Sequence, residues 1–134
     1  MSDQPASSNQ DAATIRVLIV EDDQLIQRMY ATMFGIRKYE VAVASDGVEG
    51  LEKAKNFKPT VILLDIMMPL MNGFDTLDKL KADPSTKDIP VIMLSNLADD
   101  TDVQKALSKG AIKYIIKSEY IPRQVADMVE QALK

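Results

Sequence analysis

The sequence predicts an α/β protein in which a parallel sheet is covered by helices on both faces. Short apolar runs typical of strands alternate five times with segments whose apolar residues recur at helical spacing. The run at residues 61–64 shows no polar alternation, as expected for a strand that is buried on both sides. Such alternation implies parallel strands joined by right-handed crossovers, so we predict a doubly wound (βα)5 sandwich.

The five strands are predicted from apolar, β-branched runs that are bounded by turn residues. Pro90 opens the fourth run, a strand position at which proline is tolerated. The predicted strands cover residues 15–20, 39–44, 60–64, 91–94 and 112–116.

The five helices are predicted from stripes of apolar residues and from residues that favour helix ends. Asp83 and the proline after it end the third helix, and Gly110 fits the position just past the end of the fourth. The first three helices begin at side chains that can cap them, and proline suits the first turn of the last. The predicted starting residues are Asp22 or Asp23, Asp46, Asn72, Asp99 and Pro122.

The composition is that of one ordinary globular domain of 134 residues, with 46% apolar and 27% charged residues. The absence of Cys and His excludes disulfides and thiolate metal sites and disfavours a zinc site. A net charge of −4 without a basic cluster argues against direct nucleic-acid binding, and no apolar run approaches the ~20 residues of a membrane span. We expect a disordered tail over residues 1–13, a single domain over 14–134, and a cytoplasmic location.

Polar side chains follow four of the predicted strands, at the edge where the carboxyl ends of parallel strands meet. Glu21 and Asp22 follow the first strand, Asp65 the third, Ser95 the fourth and Lys117 the fifth. In open sheets of this kind, ligands bind beyond these ends. Because only oxygen ligands are available, the clustered carboxylates predict a Mg²⁺ site.

Four residues at or near these strand ends also have a structural interpretation. Asp22 could serve merely as the cap of the following helix, and Lys117 could form a structural ion pair with Asp65. Ser95 at a strand end could be a turn former, and Tyr114 could be a core aromatic with its hydroxyl at the surface. The residues taken one at a time leave these alternatives open.

Four motifs taken together resemble the receiver domain of two-component response regulators. They are Ile-Val-Glu-Asp-Asp at 19–23, Leu-Leu-Asp-Ile-Met-Met-Pro at 63–69, Leu-Ser at 94–95 and Tyr-Ile-Ile-Lys at 114–117. Each motif is weak alone, but the four in this order are highly specific, and the match runs from about Ile15 to the C-terminus. The resemblance implies the flavodoxin-like strand order 2-1-3-4-5.

The resemblance also implies a chemistry for the strand ends. Asp65 would accept a phosphoryl group from a histidine kinase, a phosphotransfer protein or a small phosphodonor. Mg²⁺, or Mn²⁺, would be held by Asp22, Asp65 and the backbone carbonyl of Met67, with Glu21 acting through water. Lys117 would stabilise charge on the phosphoryl oxygens during transfer.

A conformational switch is implied as well. Ser95 would move to bond the new phosphoryl oxygen, and Tyr114 would turn inward into the space that this leaves. The 4-5-5 face, formed by the fourth helix, the fifth strand and the fifth helix, would then signal to a protein partner. A receiver of this kind would be a monomer or a weak phosphorylation-dependent dimer, and would not turn over external substrates.

The sequence departs from the family pattern at a few positions around the site. Ser118 follows the lysine, where the family usually has a proline in a cis peptide, and Asn96 follows the hydroxyl residue, where a small residue is usual. Met67 and Leu97 stand at two positions that flank the phosphoryl group. Because neither side chain can orient an attacking water, we hypothesise a long-lived phosphoryl group.

Two other function classes compete with a receiver. An aspartate-based phosphohydrolase normally places its nucleophile at the end of the first strand, whereas here the prime acceptor, Asp65, follows the third. A degenerate interaction module that takes no phosphate is supported only by Ser118 and Asn96. The absence of an output domain after the last helix is compatible with a stand-alone receiver and with a fragment of a longer regulator.

Overall fold

A single parallel sheet organises the computed structural model, which describes residues 14–134. Its order is β2-β1-β3-β4-β5, as the family resemblance implied, so the predicted flavodoxin-like fold class is confirmed. Each predicted strand agrees with the structure to within one residue at either end. The tail predicted for residues 1–13 lies outside the described residues. The strands are β1 (Arg16–Val20), β2 (Glu40–Ala44), β3 (Val61–Leu64), β4 (Val91–Ser95) and β5 (Lys113–Ile116).

Helices follow the strands in strict alternation along the described part of the chain. A short 3₁₀ turn, Lys117–Glu119, lies between β5 and the last helix. No helix of the described residues is long and apolar enough to cross a membrane. The α-helices are α1 (Gln24–Ile36), α2 (Gly47–Phe57), α3 (Gly73–Ala82), α4 (Asp100–Ser108) and α5 (Pro122–Ala132).

Side-chain caps fix the starts of the first three helices. Asp23 Oδ1 accepts hydrogen bonds from the backbone N–H groups of the second and third residues of α1. Asp46 and Asn72 each accept one such bond at the starts of α2 and α3. The open choice at α1 is therefore resolved: Asp23 makes the cap, so Asp22 is left available for another role.

The core is divided by the sheet into two layers. Val17 and Ile19 of β1 pack with residues of α1 and α5 on one face, whereas Leu18 and Val20 pack with residues of α2, α3 and α4 on the other. Both faces are covered, which explains why the central strands lack polar alternation. Residues at the ends of β1 and β3 are consequently attached to buried strands at the centre of the sheet.

Candidate functional site

Three carboxylates meet at the carboxyl ends of β1 and β3. These strands are paired, with Val20 opposite Leu64, so the residues that follow them are neighbours. One oxygen from each of Glu21, Asp22 and Asp65 lies within 4.8 Å of the other two. Glu21 and Asp65 are buried, with 4% and 6% of their surface exposed, whereas Asp22 is exposed. The cluster is therefore anchored in the core and open to solvent at Asp22.

Lys117 reaches this cluster from the end of β5. Its Nζ lies 2.5 Å from Glu21 Oε1 and 3.1 Å from Asp65 Oδ2, and its side chain is 10% exposed. Burial disfavours the charged ammonium, but the hydrogen bond and ion pair with Glu21, together with the Asp65 charge, outweigh it and raise the pKa of Lys117. A charged Lys117 can compensate only one of the three carboxylates.

The pKa of Glu21 reflects the excess of carboxylates over positive charge in this cluster. Burial raises the pKa of its carboxyl group, and the nearby Asp65 charge adds to the effect. The Lys117 bond and the Asp23 backbone N–H, which donates to Oε2 at 3.0 Å, offset this only in part. Crowded oxygen donors with a deficit of positive charge fit a small divalent cation, and Mg²⁺ commonly binds through one or two carboxylates and several waters.

Asp65 is held in place through its own backbone. Its Oδ1 accepts a 2.7 Å hydrogen bond from the N–H of Ile66, which leaves Oδ2 facing Lys117. Gly73, the first residue of α3, lies so close that a Cβ there would stand 2.1 Å from the Asp65 carbonyl oxygen. Sequence reasoning missed this glycine; its only signal was its position directly after the predicted cap Asn72.

Ser95 and Tyr114 are joined through one residue of the β4–α4 loop. Ser95 is buried at the end of β4, and its Oγ accepts a 3.2 Å hydrogen bond from the Leu97 N–H. The half-buried Tyr114 donates from its hydroxyl to the Leu97 carbonyl oxygen at 2.6 Å. The Tyr114 hydroxyl is thus engaged within the protein, and both side chains bind the same backbone segment.

A cavity of about 200 Å³ opens beside Asp65. The cavity lies at the carboxyl ends of the strands, where the predicted site residues stand at or just after the ends of β3, β4 and β5. Met67, which is 66% exposed, lies at the rim of the cavity. The cavity is lined by Asp65, Met67, Ser95, Asn96, Leu97 and Lys117.

The two departures at positions 96 and 118 are in direct contact. No peptide bond in the described part of the chain is cis, so Ser118 follows Lys117 through a trans peptide. The Ser118 N–H donates a 2.9 Å hydrogen bond to Asn96 Oδ1. What the sequence presented as two separate deviations is one structural feature.

The family model of the response regulator receiver domain matches residues 17–130. The chain therefore belongs to the response regulator receiver domain family of two-component signal transduction.

Curated relatives share this domain within longer proteins. The DNA-binding response regulator MtrA of Mycobacterium tuberculosis is 32% identical over 124 residues, which cover 92% of this chain and 53% of MtrA. The DNA-binding dual master transcriptional regulator RpaA of Synechocystis is 35% identical over 102 residues, covering 76% of this chain and 42% of RpaA. The chain thus spans about half the length of these relatives.

Solved structures agree over nearly their whole length. The chemotaxis protein CheY4 of Vibrio cholerae superimposes with a TM-score of 0.83 at 28% identity, covering 90% of this chain and 99% of that one. A CheY-like receiver domain protein of Methanospirillum hungatei gives a TM-score of 0.81 at 31% identity, covering 90% and 94%.

Proposed function

We propose that Asp65 accepts a phosphoryl group from a histidine kinase or a phosphotransfer protein in a Mg²⁺-dependent reaction, and that the 4-5-5 face then signals to a protein partner. One observation carries the proposal. The oxygens of Glu21, Asp22 and Asp65 lie within 4.8 Å of one another, and the Lys117 ammonium stands 3.1 Å from Asp65. This arrangement combines an acceptor, a set of cation ligands and a positive charge at one strand edge.

The residues divide the work of phosphoryl transfer between them. A carboxylate oxygen of Asp65 forms the bond to phosphorus while the bond from phosphorus to the donor breaks, and the electron pair leaves with the donor. Rigid attachment to β3 keeps this oxygen in position. Lys117 stabilises negative charge on the equatorial oxygens, and Ser95, buried at the mouth of the same cavity, donates a hydrogen bond to one of them.

The metal ligands are proposed to be Asp22, Asp65 and the backbone carbonyl of Met67, with Glu21 acting through water. The chemistry that Mg²⁺ or Mn²⁺ supplies when bound is neutralisation of the phosphoryl oxygens and of the carboxylates around them. Glu21 already contacts Lys117, so its own role is to hold the ammonium beside Asp65 and to keep the site strongly anionic.

The switch is proposed to act through the Leu97 backbone. If Ser95 turns to a phosphoryl oxygen, it gives up the Leu97 N–H, and the loop that also holds the Tyr114 hydroxyl is released. Tyr114 then turns inward, and the surface formed by α4, β5 and α5 changes shape. Physically this is a population shift between two packings, biased by an added charge of roughly −1.5 to −2.

The output is proposed to be a protein contact on this face. MtrA and RpaA are named as DNA-binding regulators, but this chain carries a net charge of −4, so we do not propose a nucleic-acid contact for the receiver itself. We propose that it is a monomer or a weak phosphorylation-dependent dimer, and that it does not turn over external substrates.

Intact-mass measurement after incubation with acetyl phosphate tests the proposal. We expect a gain of one phosphoryl unit that requires Mg²⁺, disappears with a chelator and is absent in Asp65→Asn. Equal labelling of Asp65→Asn, or labelling that ignores the chelator, would refute the assignment. Sustained release of phosphate from many esters would instead favour a phosphohydrolase.

The rim of the cavity predicts a slow loss of the phosphoryl group. Met67 and Leu97 line the cavity beside Asp65, and neither side chain can position water for attack. We expect the phosphorylated Met67→Asn, Leu97→Glu variant to lose phosphate about tenfold or more faster than the wild type. A well-positioned general base typically contributes about 10²–10⁴-fold. Met71→Asn, on a partly buried residue outside this cavity, serves as the control. Equal decay rates in all three proteins would contradict the hypothesis.

A further inference from the structure

A hydrogen bond from a side chain extends the pairing of β4 and β5 beyond the end of the ladder. The last paired residues of these strands are Ser95 and Ile116. Past them, the Oδ1 of Asn96 accepts from the backbone N–H of Ser118 at 2.9 Å. A side-chain carbonyl thus supplies an additional interstrand bond at the point where the two loops diverge. We refer to this bond between Asn96 and Ser118 as the 96–118 clasp.

The clasp binds the backbone of a short turn whose own closing hydrogen bond is long. Lys117–Glu119 form a single 3₁₀ turn, whose closing bond from the Tyr120 N–H to the Lys117 carbonyl is 3.3 Å long. Since N–H···O bonds are typically about 2.9–3.0 Å long, the clasp is the better formed of the two. Ser118 and Asn96 are both exposed, so no packing around them takes the place of the bond.

The two ends of the clasp adjoin the two residues proposed to bind the phosphoryl group. Asn96 directly follows Ser95, and Ser118 directly follows Lys117. Lys117 must span from this turn to Asp65 and Glu21, so a shift of the turn displaces its ammonium. The clasp therefore joins the two loops that carry the phosphoryl-binding hydroxyl and the phosphoryl-binding amine.

We propose that Asn96 is a positioning residue, which holds Lys117 against Asp65 and Glu21 by binding the Ser118 backbone N–H. This inference rests on the proposed function for its consequence in phosphoryl transfer. The bond needs a hydrogen-bond acceptor in the side chain at position 96 and a backbone N–H at position 118. Any residue except proline satisfies the second condition.

The test uses two variants of the full chain and two readouts. Asn96→Ala removes the acceptor of the clasp. Ser118→Ala is the matched control, because it changes the side chain and keeps the N–H. The first readout is the NMR order parameter of the Lys117 ammonium in the unphosphorylated protein. The second is the rate of labelling by acetyl phosphate with Mg²⁺.

We expect the Lys117 order parameter to fall in Asn96→Ala but not in Ser118→Ala. Labelling should slow about fivefold in Asn96→Ala, because one net hydrogen bond contributes about 1 kcal/mol, which corresponds to a factor of about five. The melting temperature should stay close to that of the wild type, since both residues are exposed.

Two results would overturn the inference: an unchanged Lys117 signal in Asn96→Ala, or an equal loss of that signal in Ser118→Ala. The readouts separate this inference from the proposed function. If the wild type takes no label, the proposed function fails, while the ammonium signal still decides whether the clasp positions Lys117. If the wild type is labelled and the ammonium is unaffected in Asn96→Ala, only the clasp fails.

Discussion

Charges are well compensated at one end of the parallel strands and poorly compensated at the other. We call the end with the strand amino termini the amino edge and the end with the strand carboxyl termini the carboxyl edge. At the amino edge, Arg16 opens β1 with its guanidinium bonded to the Phe57 carbonyl at 2.6 and 3.2 Å and paired with Glu40. The same group lies 4.1 Å above the Phe57 ring. At the carboxyl edge, three carboxylates share a single ammonium, that of Lys117.

The difference separates structural charge from functional charge. Arg16 meets one anion, one carbonyl and one aromatic face, so the amino edge needs no further partner. The carboxyl edge buries Glu21 and Asp65 with too little positive charge, which is unfavourable unless a cation is added. A surplus of one sign, held on rigid strands, is a better indication of a binding site than the presence of charge itself.

Removal of Lys117 should have the largest effect on stability. Lys117→Met leaves three carboxylates without their cation, two of them buried, and we expect it to lower the free energy of unfolding by about 3 kcal/mol in the presence of a chelator. Urea denaturation measures the change. Mg²⁺ should restore part of the loss, because it adds the missing positive charge.

The matched control is Lys109→Met. Lys109 also pairs with an aspartate, Asp78, at 2.8 Å, but that aspartate is 49% exposed. An exposed ion pair of this kind contributes about 0–1 kcal/mol, and Mg²⁺ should not alter its loss. Similar losses in the two variants would contradict the contrast between the carboxyl edge and ordinary surface pairs.

Addition of Mg²⁺ to the wild type should give the next largest change. At a concentration about a hundredfold above the dissociation constant, a ligand that binds only the folded state stabilises it by about 2.7 kcal/mol. We expect Asp22→Asn to lose most of this increment and Asp100→Asn, on an exposed residue of α4, to retain it. Thermal unfolding with and without Mg²⁺ provides the measurement. A full increment in Asp22→Asn would exclude this carboxylate as a ligand.

Replacement of Arg16 should affect stability alone. Arg16→Met removes the bonds to the Phe57 carbonyl and the pair with Glu40, so we expect a loss of about 1–2 kcal/mol. The loss should be independent of Mg²⁺, and acetyl phosphate labelling should proceed at the wild-type rate. Arg28→Met, on an exposed position of α1, should change neither quantity. A labelling defect in Arg16→Met would show that the two edges are coupled.

The sequence was sufficient to predict the elements and, together with the strand order of the family it resembles, the residues that meet at the carboxyl edge. Apolar runs without alternation identified the central strands, and Asp46 and Asn72 cap their helices as predicted. Alternation of strands and helices does not determine which strands are neighbours, so the strand order came from the resemblance to a family. Once that order is known, the strand ends that carry Glu21 and Asp65 must adjoin.

The contacts between loops were not predictable in the same way. Nothing in the sequence indicates that Lys117 lies closer to Glu21 than to Asp65, or that Asn96 binds the Ser118 N–H. These contacts depend on the conformation of the segments after β4 and β5, which have no periodic pattern. The close approach of Gly73 to Asp65 likewise becomes visible only when α3 is placed against β3.

Neutralisation of Glu21 should change the free energy of unfolding least, but it tests most directly whether the carboxyl edge is less well compensated than the amino edge. Burial raises the pKa of this carboxyl above its ordinary value of 4.5, so the folded state binds the proton more tightly than the unfolded state. The stability associated with the protonated form is fully present below 4.5 and is lost as the pH rises through the raised pKa. Glu21→Gln imitates the protonated form at every pH.

With a chelator present, Glu21→Gln should therefore be more stable than the wild type at pH 7, and the difference should close on acidification toward pH 4.5 as the wild type takes up its own proton. Glu40→Gln at the amino edge should show the opposite sign at pH 7, with a loss of about 0–1 kcal/mol, since it removes the carboxylate that Arg16 needs. Urea denaturation across this pH range measures both variants. If Glu21→Gln were the less stable protein at pH 7, the Lys117 pair would outweigh the burial of Glu21, and the carboxyl edge would be as well compensated as the amino edge.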